Sequence, residues 1–167
     1  NKILKKSSKP LNISEFKKLS QNHNTIILDT RSQDDFKNGY VPNSIFVGLK
    51  GVFAPWVGSV LKDISQNILL ICDEGQENEA ITRLSRVGFD NVIGYLDGGV
   101  TSWKNSGEKI ETIESITAKE LEEKIDQNIN LIDVRTCGER KNGFLENSIG
   151  ISLNNIESEY KSLENLN

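Results

Sequence analysis

The chain carries one stretch of sequence twice. Ile26 to Leu49 reads IILDTRSQDDFKNGYVPNSIFVGL, and Asn130 to Leu153 reads NLIDVRTCGERKNGFLENSIGISL; at one constant offset nine of the 24 positions are identical. Asp29/Asp133, Arg31/Arg135, Gly39/Gly143 and Ser44/Ser148 are among them. An offset of about a hundred residues is too long for a solenoid repeat and suits a whole domain. The sequence therefore predicts a tandem duplication: a linker over residues 1–9, a first unit over 10–107, and the N-terminal part of a second unit over 111–167. Cys72 lies 43 residues after Asp29, so its counterpart would fall near position 176, past Asn167.

Within the first copy, short apolar runs alternate with helical patterns. Ile13-Ser14-Glu15-Phe16 opens a helix behind a Ser or Asn cap. Thr25–Leu28 is too short for a helix and rich in Ile, so it reads as a buried strand. Ser32 caps a short helix that Asn38-Gly39 ends. Ser44–Val47 is a strand, a helix follows near Phe53 to Lys62, and Ile68–Cys72 is the most apolar strand. Ala80, Ile81, Leu84 and Val87 recur at helical spacing, with Gly88 as the stop. Asn91–Tyr95 is the last strand, and Gly98-Gly99 leads into a helix around Trp103. Thr117 is the cap of the first helix of the second copy. Strands alternating with helices predict an α/β fold: a parallel central sheet of about five strands, with helices on both faces.

Composition excludes several functions. A net charge of −4 with no basic stripe argues against a nucleic-acid binder. No apolar run approaches the roughly 18 residues of a membrane span. Lys2, Lys5, Lys6 and Lys9 read as a solvated linker. With a single histidine, His23, in a polar turn, no histidine-rich metal site is expected, so the chain itself needs no cofactor. Cys72 and Cys137 stand in unrelated contexts, which predicts free thiols and a reducing cytoplasm.

Five ordered segments resemble the rhodanese family. They are Leu28-Asp29-Thr30-Arg31, Gly39-Tyr40-Val41-Pro42-Asn43-Ser44-Ile45, Cys72-Asp73-Glu74-Gly75, Gly88-Phe89-Asp90-Asn91-Val92 and Gly98-Gly99-Val100-Thr101-Ser102-Trp103. The resemblance implies a sulfurtransferase-type site with Cys72 as the residue that accepts a sulfane sulfur. Asp73, Glu74, Gly75, Gln76 and Glu77 would form its active loop, with thiosulfate or a low-molecular-weight persulfide as donor. A narrower resemblance is carried by Phe53-Ala54-Pro55-Trp56-Val57-Gly58, by Glu77 to Leu84 and by Gly94-Tyr95-Leu96. It points to bacterial proteins in which a metallo-β-lactamase-fold domain precedes one or two rhodanese domains, enzymes resembling hydroxyacylglutathione hydrolases and persulfide dioxygenases. In that setting iron or zinc belongs to an upstream domain, which is also the expected partner.

The chemistry asks for three things around the sulfur: a position at the end of a central strand, loop amides facing it, and a cation that lowers the thiol pKa. Cys72 meets the first two on sequence logic, Gly75 allowing the loop to curl. It lacks the third: between Cys72 and Arg83 there is no cation, while Asp73, Glu74, Glu77 and Glu79 are acidic. Four local carboxylates disfavour the thiolate and repel anionic donors. The expectation is thus a first domain that is mainly structural or a docking module, with weak or no sulfur transfer. The alternative is an active sulfurtransferase that uses Cys72 as persulfide carrier. Asp29 with Arg31, and Asp133 with Arg135, are read as pairs that fix the turn after a strand. Trp56 and Trp103 are read as core or domain-interface residues, with Trp56 otherwise lining a face toward an upstream domain.

Overall fold

The computed structural model describes residues 9–61, 63–125 and 129–163. It divides into two compact units, residues 1–115 and 116–167.

The first unit is built on five strands: β1 (Pro10–Leu11), β2 (Thr25–Asp29), β3 (Ser44–Phe46), β4 (Asn67–Ile71) and β5 (Val92–Leu96). They lie in the order β1-β5-β4-β2-β3, and every neighbouring pair is parallel. The helices between them are α1 (Ile13–Ser20), α2 (Gln33–Asn38), α3 (Phe53–Val60), α4 (Glu77–Arg86) and α5 (Gly99–Asn105). Central strand β4 shows why the sheet needs cover on both faces: Ile68, Leu69, Leu70 and Ile71 are all fully buried. Side chains alternate across a strand. Ile68 and Leu70 therefore pack with Phe53, Val57, Ala80, Ile81 and Leu84 of α3 and α4. Leu69 and Ile71 pack on the other face with Phe16 of α1 and Trp103 of α5.

Local signals end these elements where physics requires. Asn12 caps α1 in a reciprocal box with Glu15: its side chain accepts the Glu15 N–H at 3.0 Å, and Glu15 Oε2 accepts the Asn12 N–H at 3.3 Å. Ser32 accepts the Asp35 N–H at 3.1 Å to open α2. Past α4, Gly88 takes φ 90, a conformation that disfavours any residue with a Cβ. Gly39 also follows its helix but at φ 165 is merely extended, so α2 ends without a left-handed turn.

Strand β1 is the element with no sequence signal, because two residues show no periodicity. It is held by register, Pro10 beside Tyr95 and Leu11 beside Leu96, and by burial of Leu11. Residues 108–113 also stay with the first unit. Glu111 exchanges both backbone hydrogen bonds with Tyr40 at 2.9 and 3.0 Å, and the Ile113 N–H donates to the Lys37 carbonyl at 2.9 Å.

The second unit holds α6 (Ala118–Lys124), β6 (Leu131–Asp133), α7 (Cys137–Arg140), β7 (Ser148–Gly150) and α8 (Ile156–Glu159). Thr117 caps α6 in a box with Glu120. Strands β6 and β7 pair in parallel, Leu131 beside Ser148 and Asp133 beside Gly150. Ile132, Val134, Phe144 and Leu145 are exposed. Among the described residues, no helix is long and apolar enough to cross a membrane.

The seating of β1 is directly testable. A Cβ at Gly94 would come within 2.5 Å of Leu11 Cδ1 and 2.9 Å of the Lys9 carbonyl oxygen, closer than atoms pack. Gly94→Ala is expected to displace β1 and cost about 1–3 kcal/mol, as overpacked cores do. Urea unfolding should show this as a lower midpoint; an unchanged midpoint would mean that β1 contributes nothing to the sheet.

Candidate functional site

All five strands point the same way, so their C-terminal ends form one edge, where open α/β sheets place ligands. Cys72 is the first residue past β4 on that edge. Its position is held from β2: the Thr30 N–H donates to the Ile71 carbonyl at 2.8 Å and the Thr30 hydroxyl to the same oxygen at 3.2 Å. The loop Asp73-Glu74-Gly75-Gln76 then turns through Gly75 at φ 82 and enters α4 at Glu77.

Cys72 lines a cleft of about 700 Å³ together with Arg31, Asp35, Asp73, Glu74, Gly75 and Glu77 from one side. Tyr95 and the segment Leu96 to Thr101 close the other side. The cysteine is 9% exposed. Burial, followed by the negative charges of Glu77, Asp73 and Asp29, pushes its thiol up to about 12. The protonated, poorly nucleophilic form therefore prevails at neutral pH.

Of the three requirements, the position at the strand end is met, and the loop amides are partly engaged. The expected cradle of amides is partly occupied by the protein itself. Gly75 N–H donates to Glu77 Oε1 at 3.0 Å, and Gln76 N–H donates to the Asp73 carbonyl at 3.0 Å. A contact between a backbone amide and a side chain two residues on depends on loop curvature, which composition does not reveal. The first cation after the loop, Arg83, does not line the cleft. Arg83 is spent on the Leu49 carbonyl at 2.6 Å and on Glu79 at 3.1 Å.

Arg31 is the cation that does line the cleft, but its charge is already neutralised. Its Nε and terminal nitrogen donate to both carboxylate oxygens of Asp29 at 2.7–3.1 Å, and the same terminal nitrogen donates to the Gly39 carbonyl at 2.8 Å. Asp29 is fully buried. The second unit repeats the arrangement: Arg135 forks onto Asp133 at 2.7 and 3.0 Å and reaches the Gly143 carbonyl at 3.0 Å. The two carboxylates nevertheless titrate in opposite directions. Burial raises Asp29 above its ordinary value despite Arg31, whereas the Arg135 hydrogen bonds, with Arg140 3.4 Å away, hold Asp133 at about 2.

A neighbouring hollow of about 540 Å³ shares Arg31, Asp73 and Glu74 with the cleft and adds Phe46, Lys50 and Trp56. Here the reading of Trp56 as a core residue needs correction. The residue is 43% exposed, on the flank of the α3 stripe whose buried members are Phe53 and Val57, so of the core and interface readings it is the core one that fails. Trp103 is buried, meets Phe16 edge-on at 6.1 Å between centroids, and donates its Nε1–H to the Lys109 carbonyl at 2.9 Å. Cys137 is exposed at the start of α7, and His23 is exposed in the turn before β2. Among the described residues, no group of three or more His, Cys, Asp or Glu side chains is placed to hold a metal ion. Thr30, Asp35, Tyr95 and Asp97 were not singled out from the sequence. Thr30 and Asp97 shared a usable signal, because each directly follows a strand on the ligand-binding edge.

A parallel α/β sheet with a cysteine and its loop at the C-terminal end of the central strand defines a class of single-cysteine cleft domains. The chain belongs to the rhodanese-like domain family, whose description matches residues 12–106. It is 32% identical over 104 residues to "Uncharacterized protein BU052" of Buchnera aphidicola, covering 62% of this chain and 72% of that one. It is 26% identical over 103 residues to "Uncharacterized protein YibN" of Escherichia coli, covering 61% and 71% respectively. The fold is also that of the BH2092 protein of Bacillus halodurans, with TM-score 0.54 and 16% identity over 72% of this chain and 92% of that one. It is shared as well with a polysulfide-sulfur transferase homodimer of Wolinella succinogenes, with TM-score 0.52 and 20% identity over 66% and 85%.

Two outcomes are expected of this site. With the thiol near 12, about one molecule in ten thousand carries the thiolate at pH 8. Iodoacetamide should therefore label Cys137 well before Cys72, and the Cys72 rate should climb about tenfold per pH unit until the fold gives way. Peptide mass mapping reads both; a Cys72 rate already on a plateau below pH 9 contradicts the assignment. Separately, Arg31→Ala leaves a buried carboxylate without its partner and should cost about 3–5 kcal/mol in urea unfolding. Arg135→Ala, at a solvated pair, should lower the midpoint much less.

Proposed function

We propose that the first unit is a rhodanese-like domain of the sulfurtransferase type in which Cys72 transfers little or no sulfur from anionic donors, and that its main role is structural or docking. One observation carries this reading: the loop that should stabilise a cysteine-bound anion uses its Gly75 amide on the carboxylate of Glu77, 3.0 Å away. The high thiol pKa and the neutralised Arg31 act in the same direction.

We propose further that residues 116–167 form the front part of a second copy. What supports this is the nine-in-24 sequence match and the reuse of the Arg–Asp–Gly contact set. The exposed Ile132 and Leu145 correspond to Leu28 and Val41, which the first unit buries. The proposed setting is a larger cytoplasmic protein of sulfane-sulfur or glutathione metabolism, with a metallo-β-lactamase-fold domain upstream as partner and as holder of any iron or zinc. That part rests on the motif resemblance around Phe53–Gly58 and Glu77–Leu84.

A second reading has one observation in its favour. Cys72 opens onto a cleft of about 700 Å³ at the end of the central strand, a suitable place for a persulfide carrier. Intact mass spectrometry of the reduced chain after exposure to thiosulfate or glutathione persulfide separates the two. The expected result is no one-sulfur adduct under conditions that load an active rhodanese. An adduct on the wild type, absent from Cys72→Ala and removed by a thiol acceptor, would make Cys72 a working carrier and overturn the first reading.

A further inference from the structure

The cleft around Cys72 is one-sided in charge. Asp35, Asp73, Glu74, Glu77 and Asp97 line it, against the single guanidinium of Arg31, which Asp29 neutralises. Cys72 lines this cleft and is 9% exposed. Glu77 is the carboxylate best placed to control that thiol. It stands at the first turn of α4, half-buried, with Oε1 on the Gly75 amide of the loop that lines the same cleft as Cys72. An anion that approached Cys72 would meet this carboxylate and find the Gly75 amide already taken. A donor bearing an ammonium group would meet a countercharge instead, and would bring the cation that the loop lacks.

We propose that Glu77 is the specificity-determining residue of a charge filter, which admits small sulfane-sulfur compounds carrying an amine and turns away thiosulfate and other anions. This rests on the reading that anionic donors leave Cys72 silent, and it deepens that reading by giving the silence a residue and an exception. The transfer needs no added oxidant. The Cys72 sulfur attacks the terminal sulfur of R–S–SH; the new S–S bond forms as the R–S to sulfur bond breaks. The departing R–S⁻ takes the proton that Cys72 gave up, so a persulfide and a thiol become a thiol and a persulfide. The donor's ammonium, lodged among Glu77, Asp73 and Asp97, favours the thiolate during the attack.

The test uses two donors of matched length and opposite charge, cysteamine persulfide and 3-mercaptopropionate persulfide, with one-sulfur loading of Cys72 followed by intact mass. The wild type is expected to load from the cationic donor roughly tenfold faster or more, the scale of one partly screened charge pair. Glu77→Gln keeps an acceptor for the Gly75 amide but removes the charge. It should shrink the preference several-fold, chiefly by speeding the anionic donor, with its urea midpoint checked alongside. Asp97→Asn, on the far wall, should move the preference the same way by less. Equal loading by both donors in the wild type overturns the filter, as does a preference untouched in a folded Glu77→Gln. Loading by neither persulfide overturns it too, while leaving the silent reading intact. Loading by thiosulfate overturns the silent reading itself.

Discussion

A carboxylate with no exposure to water sits at the end of β2, and the first unit is arranged to make that tolerable. Asp29 survives there because Arg31, two residues on, folds back and offers it a two-pronged set of hydrogen bonds. The same guanidinium then reaches the Gly39 carbonyl, so one side chain ties the strand end to the far end of α2 and sets where the chain returns toward β3. Val47 and Leu49 complete the arrangement by donating their N–H groups to the Asp29 and Thr30 carbonyls. The edge of the sheet that carries Cys72 is therefore rigid before any ligand is considered.

That arrangement has a chemical consequence. An arginine fully engaged with a buried aspartate contributes little net positive potential to the cleft beside it. The remaining charged residues that line the cleft are acidic, and the Gly75 amide is turned onto Glu77. The same fold can thus present a cysteine at the end of its central strand and still hold it protonated. Site chemistry here depends on the electrostatics around the sulfur more than on the presence of the sulfur.

The paired contacts Asp29–Arg31 and Asp133–Arg135 show how much environment matters when bonding is the same. Their hydrogen bonds match to within about a tenth of an ångström, yet one carboxylate is raised and the other held at about 2. The difference comes from the desolvation of Asp29, whose strand β2 is flanked by β3 and β4, and from Arg140, a second cation 3.4 Å from Asp133.

The order of strands and helices was readable because periodicity is local: the unbroken apolar run of β4, the helical spacing of Ala80, Ile81 and Leu84, and the caps at Ser32 and Thr117 each signal their own element. The family motifs and the acidity of the Cys72 loop were readable for the same reason. Strand β1 was not, since two residues acquire their conformation from the β5 edge they pair with. Nor was the exposure of Trp56, which follows from where the neighbours of α3 happen to pack. By itself, then, the sequence determined that a cysteine stands at a strand end among carboxylates. Only the tertiary structure decided that Cys72 is buried, that Arg31 is neutralised and that Gly75 donates to Glu77. Charge interactions depend on distance and on exclusion of water, and both are set by residues far apart in the chain.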